Sequence, residues 1–338
     1  MAKILVTGGL GFIGSHTVVE LQKAGHQPII VDDLSNSNTK VLEGITAITG
    51  QKPLFIKADL KHKQAASQIF TEHPGVEGVI HFAAFKAVGE SVQKPLEYYE
   101  NNLASLVYLL QAMRKFKCTN FIFSSSCTVY GQAQDLPIKE TSPVLSAESP
   151  YGNTKQIGEE IIRDAIQAHS FKAIALRYFN PIGAHPSAKI GELPIGTPLN
   201  LIPFVTQTGA GIRKQLQVFG NDYPTPDGTN IRDYIHVTDV AQAHVVAVER
   251  LLASQNKTPY EVFNLGTGKG SSVLEVIKAF EKVSGQKLNY KIASRRAGDV
   301  VAAYADTQKA NQELGWQAKK NLEEAIADAW RWQKSLVK

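Results

Sequence analysis

Tyr151 and Lys155 stand four residues apart in the run Tyr151-Gly152-Asn153-Thr154-Lys155. On a helix, that spacing puts both side chains on one face, so the ammonium can lie near the phenol. A phenol titrates near 10, too high for a base near neutrality. A neighbouring cation favours the phenolate, which makes Tyr151 a candidate general base for an alcohol proton. Upstream, Ser124, Ser125 and Ser126 close an apolar run. The carboxyl end of a buried strand is where open α/β sheets hold ligands. Ser126 is therefore expected to hydrogen-bond the reacting hydroxyl or carbonyl. Alone, a Tyr-x-x-x-Lys pair is common on solvated helix faces, and serines cap many strands. The weight of this set comes from the N-terminus.

There, Thr7-Gly8-Gly9-Leu10-Gly11-Phe12-Ile13-Gly14 places glycines at 8, 11 and 14, between the apolar run Ile4–Thr7 and the helically spaced Ile13, Thr17 and Leu21. Gly8 allows a tight turn, Gly11 lets backbone approach a pyrophosphate, and Gly14 lets a helix pack on the strand. The helix N-terminus adds N–H donors and a positive dipole end. Asp32 falls at the end of the second strand, 18 residues after Gly14. A carboxylate there accepts from a ribose diol and repels a 2′-phosphate, so NAD is favoured over NADP. The positive nicotinamide ring would further favour the Tyr151 phenolate. Asp59, ending the third strand, can meet the adenine amine or serve only as a turn carboxylate. A second cluster, Gly266-Thr267-Gly268-Lys269-Gly270, lacks an acidic partner downstream and a following βαβ unit. It is expected to be a structural strand-to-helix turn.

These residues need a scaffold. Ile4–Thr7, Pro28–Asp32, Leu54–Asp59, Gly78–Ala83, Asn120–Ser125 and Lys172–Arg177 read as buried strands. Helical patterns fall between the later ones, at Leu96–Lys115 and Tyr151–His169. Repeated β–α alternation predicts an α/β fold of Rossmann type, a doubly wound parallel sheet. From Asn180 to Asp233 the chain turns rich in Pro, Gly, Asn and Thr, as binding loops do. His236–Leu252, begun by Thr238 or Asp239, reads as a helix, and Tyr260–Leu265 as a strand. Residues 1–179 are therefore expected to form the cofactor domain, with about 236–265 returning to it. Residues 180–338 mainly form a smaller, interleaved α/β substrate domain.

Composition removes other classes. The chain has 338 residues, 43% apolar and 20% charged, enough for a large core. Lys+Arg 36 against Asp+Glu 31 leaves +5, mild over this length, and no run of five like charges appears. Nucleic-acid binding is not expected. Cys118 and Cys127 make neither a metal-ligand spacing nor a disulfide framework, and the nine histidines show no H-E-x-x-H pattern. No metal site, membrane span or signal peptide is expected, and a cytoplasmic location follows.

With these motifs assembled, the chain resembles the extended short-chain dehydrogenase/reductases. His81–Ser91, Ser124–Gly131, Arg177–Pro181 and Ile231–His236 narrow the resemblance to their UDP-hexose 4-epimerase branch, over nearly the whole length. The resemblance implies inversion at C4 of UDP-glucose and UDP-galactose. Hydride passes to tightly bound NAD and returns to the opposite face of a 4-keto sugar. It implies cofactor contacts from Gly8, Gly11, Phe12, Ile13 and Gly14, from Asp32, Asp33, Leu34, Ser35, Asn36 and Ser37, from Asp59 and Leu60, and from Phe82, Ala83, Ala84, Phe85 and Lys86. Asn101, Ser126, Tyr151, Lys155 and Phe179 complete that set. For the UDP-sugar it implies Lys86, Ser126, Tyr151, Tyr178, Asn180, Asn200, Leu201, Gln217, Val218, Phe219, Arg232, Arg296 and Asp299. Arginines suit a diphosphate because they make charge-assisted bonds. Two departures from the family pattern are Phe12, in place of a common tyrosine, and Cys127, where a small residue is usual.

Ala303 falls where the family carries either a bulky tyrosine or a small residue. An alanine there leaves room for an N-acetyl group, so UDP-N-acetylglucosamine and UDP-N-acetylgalactosamine are expected as further substrates unless Tyr304 refills the gap. Two other functions fit the same scaffold. A nucleotide-sugar 4,6-dehydratase would need a Thr-Asp-Glu run where this chain has Ser126-Cys127-Thr128, with no carboxylate until Asp135. A non-catalytic NAD-binding regulator would have no need of Ser126, Tyr151 and Lys155 together. Apolar stripes at Leu96, Tyr99, Leu103, Leu106, Leu110 and Met113, and at Ile157, Ile161, Ile162 and Ile166, can cover the sheet. The resemblance implies that they pair two copies as a homodimer.

Overall fold

The computed structural model describes residues 1–296 and 299–337. The first half runs β1 (Lys3–Thr7), α1 (Phe12–Lys23), β2 (Gln27–Asp32), α2 (Lys40–Thr49), β3 (Leu54–Lys57), α3 (Ala65–Glu72), β4 (Gly78–His81), α4 (Val88–Gln93), α5 (Pro95–Tyr99), α6 (Ser105–Lys115), β5 (Asn120–Ser126) and α7 (Pro150–Ala168). The second runs β6 (Lys172–Tyr178), β7 (Asn180–Ile182), α8 (Leu201–Gly209), β8 (Leu216–Phe219), β9 (Ile231–Arg232), β10 (Tyr234–His236), α9 (Val237–Leu252), β11 (Tyr260–Leu265), β12 (Ser271–Ser272), α10 (Val273–Ser284), β13 (Tyr290–Ala293), β14 (Ala302–Ala303) and α11 (Leu322–Leu336).

Seven strands form one sheet in the order β11-β6-β5-β4-β1-β2-β3. Every pairing in it is parallel. Parallel strands are joined by helices that cover both faces, so the inner strands are buried on both sides, while the edge strand β3 stays partly exposed. Ile4 and Val6 of β1 face a core with α1, α2 and α9, while Leu5 faces another with α3, α6 and α7. The order reverses between β1 and β4, which opens the crevice where such sheets bind ligands. β11 lies beyond the substrate-type loops in sequence yet pairs with β6 along its whole length, from Tyr260↔Ala173 to Leu265↔Tyr178. A third core gathers Ile202 and Val205 of α8, Val218 of β8, Phe280 of α10 and Trp330 of α11. Three small sheets, β10-β7, β12-β9-β14 and β13-β8, lie in this later part of the chain.

Several elements differ from the sequence reading, and β3 and β4 end at Lys57 and His81, short of the expected Asp59 and Ala83. The helix expected over Leu96–Lys115 is broken by a π-turn at Glu100–Ala104. Asn101 and Asn102 are poor helix formers, because their amides compete for backbone groups, and here both side chains are buried in polar contacts. α9 starts one residue before Thr238: His236 is its N-cap, its Nδ1 accepting from the Thr238 N–H at 3.0 Å. α2 and α3 carry short, weak apolar patterns that periodicity alone did not reveal.

Candidate active site

α7 lies against the carboxyl end of β5 and sets the reactive groups. Ser149 caps it, its Oγ accepting from the Gly152 N–H at 3.1 Å, and Pro150 opens the first turn. Tyr151 and Lys155 are both buried. Lys155 Nζ donates to the Ser124 carbonyl at 2.7 Å, and lies 4.9 Å from the Phe123 ring centroid and 5.9 Å from that of Tyr151. Burial brings the ammonium down to about 8, with Glu159 pulling the other way. Burial also pushes the Tyr151 phenol well up, and Ser126 pulls it back. The protein alone therefore does not make the phenolate. Lys155 sits under the ring, tied to a carbonyl, so the expected activation needs further positive charge at the site. Ser124 Oγ and Tyr178 Oη share a hydrogen bond of 2.5 Å, which brings Tyr178 to the same strand end.

The glycine loop lies at the neighbouring strand end. Gly8 adopts φ 67°, a conformation open to glycine. A Cβ on Gly8 would sit 2.7 Å from the Ala83 nitrogen, and one on Gly14 2.2 Å from the Gly8 carbonyl oxygen. Gly11 caps α1 without a side-chain bond, so the first-turn N–H groups lack a side-chain acceptor there. Asp32 is buried, and its carboxylate accepts from the Leu10 and Leu34 N–H groups at 3.0 Å and from Ser37 Oγ at 2.7 Å. It thus orders its own loop and keeps capacity for about one more donor. Leu34 is held at φ 67°, an uncommon conformation for a branched side chain. Asp33 Oδ1 takes both the N–H and Oγ of Ser35, Asn36 is exposed, and Asp59 caps its own turn at Lys61. A pyrophosphate facing bare N–H groups and a ribose facing a buried carboxylate fit this crevice.

Other expected contacts sort by exposure. Leu60 is buried in the second core and Val218 in the third, so only their backbones can face a ligand. Gln217 and Phe219, alternating with Val218 on β8, are exposed. Leu201 packs on the third core, and Phe179 on a small cluster with Val129, Tyr130, Ile138 and Ala305. Asn180 is fixed by its N–H to the Asp233 carbonyl. Arg232 and Arg296 converge on Asp299: Arg296 donates to both its oxygens, at 3.2 and 2.9 Å, and Arg232 lies at 3.6 Å. Arg232 also donates to the Ile231 and Val300 carbonyls.

Four organising residues were missed. Asn102 uses both ends of its amide on Phe85, accepting from its N–H at 2.8 Å and donating to its carbonyl at 3.0 Å, and it also bonds Thr154. It thereby ties the Phe82–Lys86 loop to α7 and places Asn101, whose Nδ2 donates to it. Glu192 receives Lys86 Nζ at 3.3 Å and Asn200 Nδ2 at 2.7 Å. Asp233 is fully buried, and its carboxylate accepts from the N–H and Oγ of Thr267 and the N–H groups of Gly268 and Ala305. The second glycine cluster therefore wraps the chain's own carboxylate before leading into β12 and α10. Glu159 is the fourth.

The parallel sheet, the open glycine crevice and the Tyr151–Lys155 helix together define an extended short-chain dehydrogenase/reductase. A family model described as GDP-mannose 4,6 dehydratase matches residues 5–329. The chain is 53% identical to the UDP-glucose 4-epimerase of Bacillus subtilis (strain 168), over 99% of this chain and 97% of that one. A UDP-glucose-4-epimerase from Stenotrophomonas maltophila, solved with bound NAD and formylated UDP-arabinopyranose, superposes with a TM-score of 0.96 at 46% identity, covering 100% of this chain and 99% of that one. The UDP-Glc/GlcNAc 4-epimerase of Campylobacter jejuni superposes with a TM-score of 0.85 at 37% identity, covering 99% and 100%. The chain belongs to that matched family and, within it, to the UDP-glucose 4-epimerases. Among the described residues, no group of three His, Cys, Asp or Glu side chains is placed to hold a metal, and no helix is long and apolar enough to cross a membrane.

The crevice is tested at Gly14. Gly14→Ala is expected to lose about 1–3 kcal/mol of stability by overpacking and to purify without bound dinucleotide. Thermal melting and the absorbance of nucleotide released by denaturation measure both effects, and wild-type values would show that close packing of α1 is not required.

Proposed function

We propose that this chain interconverts UDP-glucose and UDP-galactose, and also their 2-N-acetyl counterparts, with Tyr151, Lys155 and Ser126 at the reacting carbon. The observation that supports it most is the placing of a buried Tyr151–Lys155 pair and Ser126 at the strand end beside the glycine crevice. Tyr151 Oη takes the proton of the sugar 4-hydroxyl, and Ser126 Oγ hydrogen-bonds the same oxygen. Lys155, fixed on the Ser124 carbonyl, keeps positive charge beneath the phenol. NAD, when bound, would supply a redox-neutral acceptor and donor for the C4 hydride. Gly8–Gly14, Asp32–Ser37, Asp59, Leu60, Phe82–Lys86, Asn101 and Phe179 hold that cofactor. Asn180, Asn200, Leu201, Gln217–Phe219, Arg232, Arg296 and Asp299 hold the uridine diphosphate end, leaving the 4-keto sugar free to turn over. In a dehydratase reading an acid would be needed beside Ser126, and the turn there carries Cys127 and Thr128.

The wider substrate range rests on Ala303. It lies on β14, paired with Arg232, and packs towards Val129, Tyr130 and Phe179. Tyr304 lies against Gly270, 3.3 Å from where its Cβ would stand, and its carbonyl receives the Ile138 N–H. The nearness of the Tyr304 ring to Gly270 supports an open space beside Ala303.

We also propose a division into a cofactor part, 1–179 with 236–265, and a mainly substrate-binding remainder. The separate third core supports it. A cytoplasmic homodimer is our reading of the assembly. Both cysteines are free, as in a reducing compartment. Of the two apolar stripes, Leu106, Leu110, Met113 and Ile162 cover the sheet. Val88, Val92 and Leu96 remain exposed beside them, and Val107, Leu110, Ile161, Ala165 and Phe171 line a groove between α6 and α7.

Three measurements check these readings. Tyr151→Phe should retain bound NAD and lose epimerisation of UDP-galactose by about 10²-fold or more; near-wild-type turnover would remove Tyr151 as the base. Wild type should turn over both substrate pairs, and Ala303→Tyr should lose the N-acetyl pair alone, since overpacking costs about 1–3 kcal/mol. Failure of wild type on the N-acetyl sugar, or equal turnover by the variant, overturns that reading. Light scattering at micromolar concentration should report twice the monomer mass, and a monomer would reject the assembly.

A further inference from the structure

Three charged side chains, Lys155, Glu159 and Arg177, lie together beneath the reactive strand end, each more than nine-tenths buried. Glu159 stands one helical turn beyond Lys155 on α7. Its Oε1 accepts from Ser125 Oγ at 2.6 Å and from Arg177 Nε at 2.9 Å, and its Oε2 from an Arg177 terminal nitrogen at 2.5 Å. Arg177 is held from its far side, over the Tyr130 ring at 4.8 Å, and Tyr130 Oη donates to Asn264 at 2.6 Å. Arg177 is thus paired with Glu159 directly, while Lys155 stands one helical turn away, tied to the Ser124 carbonyl. A buried ion pair adds little stability over apolar residues of equal volume, so its place in the fold is the better guide to its use. Ser124 is held by Lys155 and Ser125 by Glu159, and Ser126, next in line, faces Tyr151.

We propose that Glu159 is a positioning residue of the reaction: anchored by Arg177, it holds Ser125, and so the adjoining Ser126, against Tyr151, and its carboxylate is the countercharge that keeps Lys155 an ammonium. The inference rests on the proposed roles of Tyr151 and Lys155. The titratable groups around Lys155, Tyr151 and Arg177 on other elements carry no compensating charge near neutrality. Burial brings His81 of β4 down to about 3 and pushes Tyr178 of β6, and Cys127 and Tyr130 of the turn after β5, up to about 12. Burial likewise raises Tyr98 of α5, and Tyr260 of β11 beside Glu159. Arg177 is the other charge, and it repels Lys155. Burial already brings Lys155 to about 8, against the pull of Glu159. Without that carboxylate the ammonium loses its proton at a lower pH, and the phenol above it loses the charge that favours its ionisation.

The test compares NAD-loaded wild type, Glu159→Gln and Ser125→Ala. In Glu159→Gln the alkaline limb of kcat for UDP-galactose should move down by about one pH unit, with kcat falling more than KM changes. Ser125→Ala keeps the charge, so its kcat should fall a few-fold with the limb unmoved. A near-ultraviolet pH titration of the Tyr151 phenol, isolated by subtracting Tyr151→Phe, should show its midpoint raised in Glu159→Gln alone. An unmoved limb and midpoint in folded, NAD-loaded Glu159→Gln overturn the proposal. If that variant does not fold, Ser125→Ala decides, and wild-type kcat there overturns it. If wild type shows no epimerisation, the proposed function fails, while the phenol titration still decides the role of Glu159.

Discussion

The molecule depends on the bond between α7 and the carboxyl end of β5. A helix presents one face every four residues, and a strand end offers consecutive groups. Here Lys155 and Glu159 take the Ser124 carbonyl and the Ser125 hydroxyl, one turn apart. That match leaves little freedom for α7 to slide or rotate, and so places the phenol of Tyr151. The clamp also demands burial. Glu159, Arg177 and Lys155 sit where unpaired charge is costly, which couples the fold of the sheet to the protonation of the site.

A second buried carboxylate organises the other half of the cleft. Asp233 gathers donors from Thr267, Gly268 and Ala305, and so fixes the strand that carries Ala303 relative to β9 and Arg232. The two glycine-rich loops are thereby distinguished. The loop at Gly8–Gly14 faces an open crevice, while the loop at Gly266–Gly270 is filled by an internal anion. Glycine spacing alone does not separate them, because backbone N–H groups receive a phosphate or a carboxylate alike; the acidic partner and βαβ unit that follow only the first loop do.

Much of the sheet was readable because its strands are buried on both faces and its turns are marked by glycine. Ile4–Thr7 and Asp32 carry this signal in a few residues, and even the late return of Tyr260–Leu265 was legible as a candidate strand. The reactive set was legible through the spacing of Tyr151 and Lys155. The break at Asn101–Asn102 was not, since apolar periodicity continues across it. Nor were Asp233, Glu192 and Glu159: one carboxylate looks like another in sequence, and only tertiary pairing distinguishes a buried hub from a solvated charge. The ionisation of Tyr151 was read from the nearness of Lys155 together with the nicotinamide charge, and burial of the phenol works against it.

The pairing of β11 with β6 has a consequence for how the chain is made. Synthesis runs from the N-terminus, and β6 is complete at Tyr178. Its outer partner ends only at Leu265. Between those points a nascent chain carries an apolar strand edge that nothing of its own can cover, together with the vacant surface that α9 will fill. Unpaired edges of this kind recruit other strands, and incompletely formed sheets are the species that aggregate. The interval from 178 to 265 is therefore the stretch of translation in which this protein most needs a chaperone or a slow neighbour, and a truncation anywhere inside it releases a sheet with an open side.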